Sequence, residues 1–219
     1  MSGQRELILW IAAFVLGIAL LANIGCGLQR VITGDEASAP TVALSPLALE
    51  ELLEAVNDDD PDVRCFAVIE LTRRGQQAAP AVPALIRLLE DPNDNIRSSA
   101  AEALGKIGPA AAAAVEPLAR LLTSGNLDSR RAAAQALGCL GELAEPALPQ
   151  LRLALSDRDE DVRLAAIDAL GKIGPAALPA VSDLLQTLAR SGDEVVRQRV
   201  RLSLHRIDPT ALARMQPAS

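Results

Sequence analysis

The sequence predicts an all-α protein, an α-α superhelix of about five helical pairs preceded by an N-terminal membrane-targeting helix. Three observations predict it. The segment DEDVRLAAIDALGKIG at residues 159–174 recurs as DPDVRCFAVIELTRRG from Asp60, NDNIRSSAAEALGKIG from Asn93, NLDSRRAAAQALGCLG from Asn126 and DEVVRQRVRLSLHRID from Asp193. This sets Arg64, Arg97, Arg130, Arg163 and Arg197 at intervals of 33, 33, 33 and 34 residues. Units of this length cannot bury their own apolar face and must stack on neighbours. The copies carry apolar residues at helical spacing. Ahead of them lies an uncharged apolar run, LILWIAAFVLGIALLA, at residues 7–22.

That run, with Arg5 before it, falls between the length of a signal-peptide core and the roughly 20 residues that span a bilayer. Residues 1–30 are therefore read as a signal peptide or membrane anchor. Cys26 follows Ile24 and Gly25, which resembles the bacterial lipobox, although Asn23 stands where an aliphatic residue is usual. Lipidation at Cys26, an uncleaved signal anchor and cleavage all remain open; the first two keep the chain on a bacterial membrane. Asp35 and Glu36 after the run favour display on the extracytoplasmic, periplasmic side. Residues 31–45, VITGDEASAPTVALS, lack helical periodicity and read as a linker. The repeat domain is expected over residues 46–215.

From Pro46, Leu49, Leu52, Leu53 and Val56 follow an i, i+3, i+4, i+7 pattern that marks the first helix of the first pair. The second helix of each pair begins after Asp60, Asn93, Asn126, Asp159 and Asp193, whose side chains can accept from the free amides of a first turn. Gly75, Gly108, Gly141 and Gly174 stand where such helices end, and Asp208 replaces glycine in the last copy. Val63, Ala67 and Leu71 face the core, as do Ile96, Ala100, Leu104 and Ile107, then Val162, Ala166, Leu170 and Ile173. The intervening first helices repeat Leu85, Leu88 and Leu89, then Leu118, Leu121 and Leu122, entered through proline-containing turns. With two Phe, one Trp and no Tyr, the core must be built from Ala, Leu, Val and Ile.

Composition excludes some functions. The net charge of −7 argues against a nucleic-acid partner, which requires concentrated positive charge. Cys26, Cys65 and Cys139 form no disulfide or zinc pattern. His205 has no catalytic partner nearby in the sequence, and there is no nucleophile elbow or phosphate loop. No cofactor, metal or small-molecule substrate is expected.

The pattern Val/Ile-Arg-x-x-Ala-x-x-x-Leu-Gly-x-Ile-Gly after an acidic turn, best kept in the copies at Arg97 and Arg163, resembles the HEAT-repeat family. The likeness is in particular to the short bacterial units called phycobilisome-lyase HEAT-like repeats, and it covers about residues 46–208. It implies a non-catalytic scaffold that binds partner proteins on a concave face, with a lyase or chaperone-like enzyme subunit as the alternative. It also implies that Arg64, Arg97, Arg130, Arg163 and Arg197, with Asp62, Asp128 and Asp161, tie successive units together. The candidate binding surface lies where the copies differ. Glu102 with Lys106 and Asp168 with Lys172 have the favourable i, i+4 order, worth about 0.2–0.5 kcal/mol per pair, whereas the middle copy carries Gln135 and Cys139. The arginines of the last helix, Arg199 and Arg201 among them, read as the polar cap that a terminal repeat needs.

Overall fold

The computed structural model describes residues 48–211. The apolar run at 7–22, Cys26, the linker at 31–45 and the last residues of the expected repeat domain lie outside the described residues.

Among the described residues, ten α-helices form five antiparallel pairs: α1 (Leu49–Ala55) with α2 (Pro61–Arg74), α3 (Val82–Leu88) with α4 (Asp94–Ile107), α5 (Val115–Ser124) with α6 (Leu127–Leu140), α7 (Leu148–Ala154) with α8 (Glu160–Ile173), and α9 (Val181–Arg190) with α10 (Glu194–Ile207). No strand occurs among the described residues. Each second helix runs 14 residues, while the first helices run 7 to 10.

The second helices start where the caps predict. Asp60 accepts the N–H of Asp62, Asn93 that of Asn95, Asn126 that of Ser129, Asp159 those of Asp161 and Val162, and Asp193 that of Val195. The helices end at Gly75, Gly108, Gly141 and Gly174, with φ between 52° and 74°, a left-handed region that costs a residue with a Cβ. In the last unit Asp208 is extended, and the chain leaves α10 without that turn.

The proline-containing turns are more regular than the sequence suggests. Gly75–Ala81, Gly108–Ala114, Gly141–Ala147 and Gly174–Ala180 each form a 3₁₀ helix. The fourth and seventh residues of each turn are fully buried alanines, Ala78 and Ala81 in the first and Ala177 and Ala180 in the last. Pro83 and Pro149 then sit in the first turns of α3 and α7, where a missing N–H leaves no bond unmade.

The core runs unbroken through the stack. Leu52, Leu85, Leu118, Leu151 and Leu184, one from each first helix, are completely buried, as are Leu71, Leu104, Leu137, Leu170 and Leu204 from the second helices. The second helices pack against one another in series, α2 on α4, α4 on α6, α6 on α8 and α8 on α10, whereas successive first helices touch substantially only at α5 and α7. The second helices are thus the tighter, inner layer of the superhelix. Small residues make this possible: a Cβ on Gly138 would lie 2.9 Å from Ala169 Cα, and one on Gly105 would lie 3.0 Å from Ala136 Cα.

The segment Glu160–Arg190 is long and apolar enough in composition to cross a membrane, but half of its apolar stretch is buried inside the protein. It comprises α8, a 3₁₀ turn and α9, broken at Gly174, and belongs to the solenoid.

Candidate functional site

Second helices expose one stripe each to the inner side of the stack, and the stripe is where copies of the repeat diverge. Around α4, α6, α8 and α10 it forms a groove of about 540 Å³ that includes Glu102, Lys106, Gln135, Cys139, Asp168 and Lys172. All six side chains singled out from the sequence therefore line one concavity. Its floor is made of Gly105, Ala136, Gly138 and Ala169, the same small residues that allow the helices to approach. The stem of Lys172 lies across Gly138, where a Cβ would meet Lys172 Cδ at 3.3 Å.

The charges in the groove are not paired as the helical spacing predicts. Asp168 accepts a hydrogen bond from Arg199 Nη1 on α10 instead of pairing with Lys172. Glu102 and Lys106 are both exposed, and among the described residues neither they nor Lys172 enter an ion pair. An exposed i, i+4 pair gains so little in water that an arginine from the next unit displaces it. Arg131, which no helical spacing singles out, completes the wall: it donates to Asp128 at 2.9 Å and reaches Asp161 on α8 at 3.6 Å. The groove thus combines four basic residues, Lys106, Arg131, Lys172 and Arg199, with three acids, Glu102, Asp161 and Asp168, in a chain whose net charge is −7.

The repeated arginines lie on a different edge, at the loops between first and second helices. Their carboxylate partners are not those of the Asp-x-Arg motif. Arg64 donates through Nε and Nη2 to Asp91, at 2.9 and 3.2 Å, and through Nη1 to the carbonyls of Asp58 and Asp59. Arg130 repeats this with Asp157, both bonds at 2.9 Å, and with the Gly125 carbonyl. Each of these two arginines therefore fastens its own loop and the loop of the next unit, 27 residues on. Asp62 and Asp128 cannot take that role because they lie in the first turn of the same helix, and Asp128 is engaged by Arg131. Asp161 faces Arg131 of the preceding unit rather than Arg163.

Arg97 and Arg163 keep only the local half of the clamp. Arg97 donates to the Asp91 and Pro92 carbonyls and to Asp94, and Arg163 to the Asp157 and Arg158 carbonyls. Arg197, in the last unit, lies 3.4 Å from Glu194 on its own helix. Burial alone would raise the carboxyl of Asp157; the hydrogen bonds from Arg130 and the Asp159 amide, with the positive charge of Arg130, outweigh it and hold the group below the usual carboxylate range.

Cys65 and Cys139 are unbonded thiols, Cys139 exposed in the groove and Cys65 half-buried. Burial, with the charge of Asp62, pushes the Cys65 thiol up. No group of three or more His, Cys, Asp or Glu side chains among the described residues is arranged to hold a metal. At the end of the stack, Arg201 pairs with Glu194 and Arg199 turns back to Asp168. His205 is exposed at the place where Gly105, Gly138 and Gly171 admit a following helix.

A family model described as HEAT repeats matches residues 49–138 and 116–205. Among solved structures, the chain is similar to that of the complex of CpcE and CpcF of phycocyanin lyase from Nostoc, at 25% identity and a TM-score of 0.56, covering 71% of this chain and 97% of that one. An engineered protein is similar at 25% identity and a TM-score of 0.62, with 73% and 78% covered. A designed armadillo repeat protein in complex with the peptide (KR)4 shares the fold at 19% identity and a TM-score of 0.63, with 74% and 82% covered. No curated protein matches the chain.

Proposed function

The chain belongs to the HEAT-repeat family, and on that premise we propose that it is a non-catalytic scaffold that binds partner proteins in the groove across α4, α6, α8 and α10. The observation that carries this reading is the convergence of Glu102, Lys106, Gln135, Cys139, Asp168 and Lys172 on one concavity of about 540 Å³. Here the middle copy, with Gln135 and Cys139, differs in kind from its neighbours, with Glu102 and Lys106 or Asp168 and Lys172, so these positions distinguish one partner from another, while the repeated residues around them are used in packing and capping. Second helices locked together by close contacts lose little freedom on binding, which leaves more of the interaction energy as affinity. Unpaired Lys106, Lys172 and Glu102 are available to a partner without first breaking an internal pair.

The scaffold is tethered to a bacterial membrane through its N-terminal segment, residues 1–30, by the apolar run or by a lipid on Cys26, and faces the extracytoplasmic side, with residues 31–45 spacing it from the bilayer. This part of the reading rests on the apolar run and on Cys26.

Crosslinking from membranes, followed by mass spectrometry, tests both parts. Charge reversal at Glu102, Lys106 and Lys172 is expected to cut capture of the principal partner at least tenfold with the circular dichroism spectrum unchanged. Unaltered capture would overturn the choice of surface. The mass of the N-terminal peptide distinguishes an intact, an acylated and a cleaved terminus, and recovery of the chain in the soluble fraction would overturn the tether.

The likeness to phycocyanin lyase, which extends over 97% of that chain, favours a second reading as a lyase subunit. Attachment of a bilin to an apophycobiliprotein by the purified chain would establish it in place of the scaffold.

A further inference from the structure

The repeat supplies its own comparison for Arg163. In units one and three the Nε–Nη2 edge of the arginine grips an aspartate of the following unit, Asp91 or Asp157. The same aspartate accepts the N–H two residues on, Asn93 at 2.8 Å and Asp159 at 2.9 Å. In unit five this place is taken by Ser191, whose hydroxyl accepts the N–H of Asp193 at 3.2 Å. Serine keeps the loop but supplies no carboxylate.

Arg163 is consequently left with half of its hydrogen bonds. Its Nη1 holds the Asp157 and Arg158 carbonyls as in the other units, but on the other edge the nearest acid is Glu160, 4.0 Å from Nη2. The side chain is 34% exposed, against 12% for Arg64 and 7% for Arg130. Arg97, whose counterpart position in the next unit is also a serine, Ser124, turns its Nη2 onto Asp94 instead, and its side chain is 19% exposed. Beside Arg163 a cleft of about 490 Å³ opens between units four and five, lined also by Ser191 and by Arg190. Of the acids around the cleft, Asp183 is taken by Arg152 at 2.5 Å and Asp193 caps α10. Glu160 is more than half exposed.

We propose that this cleft is a carboxylate-binding site, in which the free edge of Arg163, assisted by Arg190, takes an acidic side chain of a partner protein in place of the aspartate that units two and four provide. A guanidinium edge matches a carboxylate with two parallel hydrogen bonds, and the chain shows that geometry twice. The site lies on the loop edge of the solenoid and does not depend on the groove between the second helices.

The test follows the arginine Nε–Hε resonances of the full chain, in neutral detergent, during titration with acetyl-Ser-Ala-Asp-Ala-Ser-amide, sodium acetate and inorganic phosphate at fixed ionic strength. The Arg163 signal is expected to shift saturably with the peptide, at a half-point at least tenfold below that of acetate. The signals of Arg64 and Arg130, whose edges are occupied, should stay in place. Arg163→Lys should weaken peptide binding at least tenfold. Arg190→Gln, an exposed change that does not threaten folding, should weaken it several-fold, while charge reversal at Lys106 should leave it unchanged. An unmoved Arg163 signal, equal shifts at all three arginines, or binding indifferent to both substitutions would overturn the site. Tighter binding of phosphate, or of acetate as tight as the peptide, would overturn its assignment to an acidic side chain.

Discussion

Arg130 on α6 holds Asp157, in the loop ahead of α8, through two hydrogen bonds of 2.9 Å, although 27 residues separate them. Both side chains are largely buried, at 7% and 14% exposure. Removing one partner of such a pair leaves the other charge without compensation, which costs about 3 kcal/mol or more. Asp157→Asn should therefore unfold at a clearly lower urea concentration than the parent chain at pH 7. The sign of the pH dependence follows from the lowered carboxyl of Asp157. Its contribution is fully present above the unfolded carboxylate value of about 3.9 and is lost as pH falls through the lower folded value. The gap between the two unfolding midpoints should narrow below about pH 4, and a gap that is constant from pH 7 to pH 3 would contradict the assignment.

Gly138 is a point of close approach between α6 and α8, and Gly138→Ala measures how tightly the layer is packed. Helix propensity alone favours alanine by about 1 kcal/mol. Against that, the added Cβ would sit 2.9 Å from Ala169 Cα and 3.2 Å from its Cβ, and backbone cannot swing aside as a side chain can. Overpacking of this kind costs about 1–3 kcal/mol. A net loss of stability is expected from thermal denaturation. A net gain would mean that the helices separate freely at this point.

Much of this was legible in the sequence, for a physical reason. Caps and left-handed glycines act within a few residues, so Asp60, Asn93, Asn126, Asp159 and Asp193 could be placed by local chemistry, and a 33-residue period then brought the groove residues into one line. The partners of the arginines were less legible because they depend on which loop a long side chain reaches in three dimensions. Nothing in the motif at Asp62–Arg64 points to Asp91, yet the spacing of 27 residues from arginine to aspartate, present for Arg64 and Arg130 and absent for Arg97 and Arg163, was there to be found. The 3₁₀ turns escaped because proline and alanine suit a loose turn as well as a tight helix. Asp168 pairs with Arg199 of the next unit rather than with its helical neighbour Lys172, and spacing along one helix carries no sign of a partner that arrives from another.

Ser129 tests the core at the position that holds Val63, Ile96 and Val162 in other copies. It is fully buried, and its hydroxyl has no hydrogen-bond partner. A buried polar group left unsatisfied costs about 1–3 kcal/mol. Ser129→Ala removes the hydroxyl while changing the packed volume little, so it should raise the urea midpoint by an amount equivalent to about 1 kcal/mol. A loss of stability would indicate that the hydroxyl is satisfied in solution.

The two described thiols should separate cleanly by reactivity. Thiolate is the nucleophile, so alkylation is governed by how much of it forms and by access to the sulfur. Cys65 is at a disadvantage on both counts, being half-buried beside Asp62 with its thiol pushed up by burial and by that charge. Cys139 is exposed on the groove wall. Under limiting iodoacetamide at pH 8, peptide mass spectrometry should find Cys139 modified at least several-fold faster than Cys65. Replacing Asp62 with Asn should narrow the gap by speeding Cys65 while leaving Cys139 unchanged, because only Cys65 lies near that carboxylate. Since Cys139 shares its groove with Gln135 and Lys172, a bound partner should slow its alkylation and not that of Cys65, so the same measurement also reports occupancy of the groove.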